Sequence, residues 1–168
     1  MIGAVPVGNG RRCAAALMAL GAALLWGTVA RGQDARTGSL RFEVTADGRV
    51  LNAPVDGRLI VAVAPLSQGE PRLRIGRVGG SATPIFAVDV DDFRPGVVAV
   101  VDDTATAFPV DDLSKLPPGD YRAQAVLDLS RDLRSPNAPR NLYSAPRQIS
   151  VISTSDAVVP FVLSERVP

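Results

Sequence analysis

Leu116-Pro117-Pro118-Gly119-Asp120-Tyr121-Arg122-Ala123-Gln124-Ala125-Val126-Leu127-Asp128 reads as a turn feeding a strand. Pro117-Pro118-Gly119 punctuates the chain, because two fixed φ angles and a glycine cannot continue a helix. Tyr121 to Leu129 then supplies the clearest strand of the sequence. Outward in both directions the pattern repeats: short β-prone runs between turn signals, and no helix longer than a turn or two.

Towards the N-terminus, Leu40 to Thr45 alternates, with Leu40, Phe42 and Val44 on one face and Arg41, Glu43 and Thr45 on the other. Asp47-Gly48 turns the chain. A second strand is expected over Arg58 to Leu66, a short edge strand over Arg72 to Val78, and a further strand over Pro84 to Val90, stopped by Asp91-Asp92. Val97 to Val101 is strand-like and rich in β-branched residues. Asp111 or Asp112 is placed to cap one helical turn over Leu113 to Leu116. Beyond the central strand, 130–144 reads as a polar loop, and Gln148 to Ile152 and Val158 to Leu163 complete the set. About seven strands at this spacing predict an all-β protein, specifically an immunoglobulin-like β-sandwich. Gly119 and Tyr121 sharpen that expectation as structural residues. A Tyr entering a strand, with Ala123 two positions on, resembles the tyrosine corner of such domains, its hydroxyl bonding back to backbone near Asp112 to Lys115. The alternative is a Tyr whose ring is in the core and whose hydroxyl sits at the rim.

The first 30 residues follow the export-signal pattern. Arg11 and Arg12 form the positive segment, Cys13 to Trp26 the apolar one, and Thr28-Val29-Ala30 the small-residue cleavage site. Fourteen helical residues span about 21 Å, short of the ~30 Å hydrocarbon core, which favours cleavage over anchoring. An uncleaved anchor is the rival reading. Arg11-Arg12 fits an ordinary secretory signal better than a twin-arginine one, because Cys13-Ala14-Ala15-Ala16-Leu17 matches the latter loosely. The expected organisation is a signal peptide over 1–30, a flexible leader over 31–38, a sandwich domain over 39–164 and a tail over 165–168. The expected location is secreted or periplasmic, with no stable membrane insertion after cleavage.

Composition narrows the chemistry. The 168 residues carry 18 Lys+Arg and 17 Asp+Glu, and no His. Two of the basic residues lie in the signal, so the remainder is nearly neutral and lacks the basic footprint of nucleic-acid binding. Without His, no Ser-His or Cys-His pair can be built within the chain, and the commonest ligand of zinc is missing. The only Cys is Cys13, so the mature part has no disulfide and its core must hold it unaided. No catalytic residue, cofactor or metal ligand is assigned, and the chain is read as a non-enzyme.

The candidate sites each have a plain alternative. Asp89, Asp91 and Asp92, then Asp102 and Asp103, then Asp111 and Asp112 are close enough in sequence to suggest Ca²⁺, but none matches the calcium-loop spacing, and Asp at strand ends serves turns. Two carboxylates across a cleft would serve glycoside hydrolysis. Arg72, Arg74 and Arg77, and Arg131, Arg134, Arg140 and Arg147, read as solvated loops and a charged sheet edge rather than an anion site. Leu59-Ile60-Val61-Ala62-Val63-Ala64 is apolar at every position, as is Val97 to Val101. Something is therefore expected to cover the second face of these strands, and Ile60, Ala62 and Ala64 are the candidate interaction residues. Tyr143, beside the polar loop, is the one aromatic singled out for ligand contact.

The central stretch Leu116 to Asp128, together with Asn137-Ala138-Pro139-Arg140-Asn141-Leu142-Tyr143-Ser144 and the opening Leu40-Arg41-Phe42-Glu43-Val44 with Asp56-Gly57-Arg58-Leu59, resembles the β-rich N-terminal domain of bacterial secreted esterase-like proteins. In that family an α/β-hydrolase domain follows. The sequence has no Gly-x-Ser-x-Gly nucleophile elbow, so no catalytic residue is carried over. The resemblance implies an accessory domain that packs on an esterase-like hydrolase domain or another envelope protein. A small carboxylate-dependent hydrolase and a calcium- or glycan-binding module are the alternatives.

Overall fold

A computed structural model describes residues 39–130, 135–152 and 156–168. These residues fall within one compact unit, Gln33–Pro168. The expected signal peptide and leader, and Arg131 and Arg134 of the second arginine group, lie outside the described residues.

The described chain is all-β. Its strands are β1 (Leu40–Ala46), β2 (Val55–Pro65), β3 (Ile85–Phe93), β4 (Ala99–Val101), β5 (Thr106–Phe108), β6 (Gly119–Asp128), β7 (Leu142–Ser144), β8 (Arg147–Val151) and β9 (Ala157–Arg166). They form one sheet in the order β4-β1-β9-β7-β6-β2-β3-β5, with β8 paired to β6. All ladders are antiparallel except β1 with β9, which is parallel and joins Leu40–Ala46 to Ala157–Leu163. The long strand β6 serves two partners. Its first half pairs with β8 and its last residues with β7, and Ala145-Pro146 divides those partners. The sheet curls, so that β3 and β4 touch although five strands separate them in the sheet order.

The curl encloses a single core. The inward set alternates along each strand: Leu40, Phe42 and Val44; Leu59, Val61 and Val63; Ala123, Ala125 and Leu127; Val159, Phe161 and Leu163. Phe42 and Phe161 meet with ring centroids 6.0 Å apart, inside the range of favourable aromatic contact.

Several elements depart from the sequence reading. The described residues hold nine strands where about seven were expected, because the three-residue strands β5 and β7 carry too little pattern to read. Arg72 to Val78 is not an edge strand. Pro71 opens a 3₁₀ turn over Pro71–Arg74, closed by Leu73 N–H to Glu70 O and Ile75 N–H to Arg72 O. Asp91-Asp92 does not stop β3. The ladder shifts between Val55 and Gly57, and Asp92 takes φ +52° while its N–H donates to Asp56 Oδ1 at 3.0 Å. Asp tolerates that left-handed geometry, so a bulge absorbs the extra residue and the strand goes on to Phe93. The expected tail is structured as well: β9 runs to Arg166, and Val167 N–H reaches Asn141 O at 2.8 Å.

Other expectations match. Asp112 caps the turn Leu113–Lys115, accepting from Ser114 N–H at 2.8 Å. The Tyr121 hydroxyl does bond back to backbone, donating to Pro117 O at 2.8 Å, four residues upstream and short of the expected Asp112 to Lys115. Gly119 enters β6 at φ +154°, where a side chain would be strained.

Candidate interaction surface

The doubly apolar strand β2 is covered on both faces, and the chain covers it itself. Ile60, Ala62 and Ala64 point away from the main core, and Ala62 and Ala64 are 0% exposed. The turn Pro71–Arg74 lies against β2 and β6, with Pro71 buried. The small side chains at Ala62 and Ala64 leave room for that layer.

Gln124, paired opposite Ala62, holds the layer down. Its amide oxygen accepts from Arg72 N–H at 3.0 Å, and its Nε2 donates to Glu70 Oε1 and Ser144 O, each at 2.8 Å. Arg72 Nε donates to the same Glu70 oxygen at 2.6 Å, and Arg72 also bonds Asn137 Oδ1. Burial pushes the Glu70 carboxyl up, but the bonds from Gln124 and Arg72 outweigh it and hold Glu70 below the usual carboxylate range. The Arg72 guanidinium stacks over the Tyr143 ring, 4.0 Å from its centroid. Tyr143 therefore has a partner from its own chain, and so do the three β2 residues. This corrects the sequence expectation that a second body is needed there.

Among the described residues, two further surfaces bear on function. One is an open cleft of about 730 Å³, lined by Asp56, Arg58, Asp89, Asp91 and Asp128 together with Ile60 and Ile75. Arg58 lies 3.5 Å from Asp89, so one carboxylate already faces a cation. Among the described residues no group of three or more acidic side chains is arranged to hold a metal ion.

The other is the outer face of β4, β1 and β9. Val98, Val100, Val158 and Val162 retain 43–50% of their surface. By register, Val100, Glu43 and Pro160 form one row across the three strands, and Arg41 lies beside Val158. The valines thus flank a central strip on which Arg41 pairs with Glu43 at 3.1 Å. Arg41, Glu43 and Thr45 face outward here as their alternation predicted. Sequence reasoning flagged Val97 to Val101 but passed over β9. The signal was there: Val158 to Leu163 is also apolar at every position, the same mark that singled out β2.

The fold and this face together define an all-β domain whose outer face carries half-exposed valines on either side of a charged strip. No family model matches the chain, and no curated protein or solved structure matches it. Among the described residues, no helix is long and apolar enough to cross a membrane.

Proposed function

We propose that the chain is an exported, non-catalytic accessory domain of the immunoglobulin-like β-sandwich class, which works by presenting the outer face of β4, β1 and β9 to a partner. The sandwich reading is supported by the way β7 and β8 divide β6 between two partners, by the parallel β1–β9 pairing and by the Tyr121-to-Pro117 bond. The single observation that carries the function is the set of half-exposed valines on one sheet face, Val100, Val158 and Val162, with Val98 just before β4. Isolated exposed apolar residues are ordinary, but several half-exposed valines on both sides of one charged strip support a contact surface with an apolar border and a polar centre. The resemblance to secreted esterase-like proteins names the partner: an esterase-like hydrolase domain or another envelope protein, met in the periplasm or outside the cell after Sec-type export.

The test is co-purification from the periplasm or medium, with the partner identified by mass spectrometry. Capture of a hydrolase or envelope protein by the wild type, lost in Val158→Ser/Val162→Ser, supports the reading. Recovery of the wild type with no such protein overturns it. The second reading, a carboxylate-dependent hydrolase, is favoured by the aspartate-lined cleft. Turnover of ester or glycoside substrates that is lost in both Asp89→Asn and Asp128→Asn would replace the first reading with the second.

A further inference from the structure

Residues 66–84 join β2 to β3, two antiparallel neighbours whose ladder ends at Ala62 and Ile85. Hairpins of this kind usually close in about two to five residues, and much longer connections tend to be functional. This one is several times longer, and its regular elements are two 3₁₀ turns, Pro71–Arg74 and Gly79–Ser81. It supplies the cover that lies over the outer face of β2 and β6.

The polarity of that cover is inverted. Arg72 keeps 15% of its side-chain surface, whereas Leu73 beside it is 49% exposed and Val78 is 74% exposed. A segment held down by hydrophobic burial would do the reverse. Within the first turn the buried residue is Pro71. Beneath it lie Ala62 and Ala64, so closing the cover takes little apolar surface from water, while the core on the other face is built on Phe42, Phe86, Phe93 and leucines.

The ties from this segment to the sheet converge on two residues. Arg72 N–H and Glu70 Oε1 both bond the Gln124 amide, and the Arg72 guanidinium adds Asn137 and the Tyr143 ring. Other backbone bonds close turns inside the segment: Leu73 N–H to Glu70 O, Ile75 N–H to Arg72 O, Arg77 N–H to Arg74 O and Ala82 N–H to Gly79 O. Arg74 Nε donates to Thr83 Oγ1 at 3.2 Å, again within it. The two ends are fixed to β2 by Gln68 N–H to Pro65 O and Val63 N–H to Pro84 O.

We propose that residues 66–84 form a latched strap that opens from the sheet as a unit while the sheet stays folded, with Glu70 and Arg72 as the latch. Closed, the strap hides Ala62, Ala64 and Gln124; open, it bares the second face of β2. Opening hydrates a carboxylate, a guanidinium and an amide oxygen, which water receives readily, and exposes two alanines and a proline. Gln124 Nε2 keeps its bond to Ser144 O, so that carbonyl is not orphaned. Leu73 and Val78 already meet solvent and do not resist the motion. The opening therefore lies below global unfolding in free energy, as a separate cooperative unit. The strap covers β2 and β6, and the valine face lies on β4, β1 and β9, so either can fail without the other.

The test is hydrogen exchange of the purified protein at low urea concentrations, with thiol labelling as a second readout. The Arg72, Leu73, Ile75 and Arg77 amides are expected to exchange as a group, tenfold or more faster than those of Val61 and Leu127. Arg72→Ala cuts the side-chain ties to Glu70, Asn137 and Tyr143; it should speed the group at least tenfold again and leave Val61 and Leu127 unmoved. Ala64→Cys places a thiol under the strap and Ala125→Cys places one in the core, both at positions that are fully buried. With the label located by peptide mapping, which sets Cys13 apart, the first thiol should react at least tenfold faster than the second, and faster still when combined with Arg72→Ala. The exchange rates decide the matter should Ala64→Cys fail to fold. Strap amides that exchange only together with the core, an Arg72→Ala effect as large on Val61 and Leu127 as on the strap, or a thiol at position 64 no more reactive than the one at 125 would overturn the proposal.

Discussion

The Tyr121 hydroxyl is the one polar atom on a ring that is otherwise packed at the entrance to β6. Burial raises its pKa, and its proton goes to Pro117 O. Tyr121→Phe removes a neutral hydrogen bond at a partly wet site, so a loss of about 0.5–1.5 kcal/mol is expected in urea unfolding, with the fold retained. Gly57 is held by distance rather than by φ. A Cβ there would stand 2.8 Å from Asp128 O and 3.2 Å from the Leu127 and Leu129 side chains. That carbonyl belongs to the β6 backbone and cannot swing aside, so Gly57→Ala should cost about 1–3 kcal/mol, read as a lowered urea midpoint. The two glycines differ in legibility. Gly119 follows two prolines, and its turn was readable locally, whereas nothing around Gly57 in sequence announces that β6 passes so close to it.

The covering layer over β2 shows how an element can satisfy a sequence signal in an unforeseen way. Six consecutive apolar residues in β2 announce a strand with two buried faces, and that inference holds. The sequence does not say what lies on the second face, because the cover is a 3₁₀ turn of mixed character held by one buried amide, Gln124. Local pattern carries β1, β2, β6 and β9, whose seven to eleven residues alternate or run apolar. It misses β5 and β7, which exist through their partners, Ile85–Ala87 for β5 and both β6 and β9 for β7. The valine face was half legible: the Val97 to Val101 run drew notice, but only the register shows that Val158 and Val162 share its face. Gln124 carries the sharpest prediction at this scale. Gln124→Leu keeps the volume and strands Arg72 N–H and Ser144 O, each orphaned group costing about 1–3 kcal/mol. Hydrogen exchange should show the Arg72 amide losing protection while Val61 and Leu127 in the core keep theirs. Loss of protection throughout would mean that the layer is integral to the main core.

Across the molecule, carboxylates fasten local turns and, in Asp156, tie two strands together. Asp156 Oδ1 accepts from both Ser39 N–H at 2.7 Å and Ser39 Oγ at 3.1 Å, joining the start of β1 to the start of β9. Asp102 accepts from Thr104 between β4 and β5, Asp112 caps its turn, and Asp47 grips Arg49 after β1. Each of these carboxyls lies below its ordinary range because hydrogen bonds favour the charged form. Thr104 does this for Asp102, Ser114 for Asp112 and the Ser39 backbone for Asp156. Asp47 is lowered to about 2, chiefly by the Arg49 side chain. A depressed folded-state pKa means that the unfolded chain binds the proton more readily. The stabilisation is therefore complete above the unfolded value near 3.8, and it drains away as pH falls towards about 2. With no His in the chain, no imidazole adds a transition between pH 5 and 8. The urea midpoint should accordingly stay level from pH 8 to about 5 and drop steadily below about 4. Asp156→Asn and Asp47→Asn should each lower the midpoint at pH 7, and the gap between variant and wild type should narrow as pH falls through each wild-type carboxyl's folded-state pKa, which for Asp47 is about 2. A gap that persists undiminished in acid would assign the effect to lost shape or packing and remove the charge-based tie from the account.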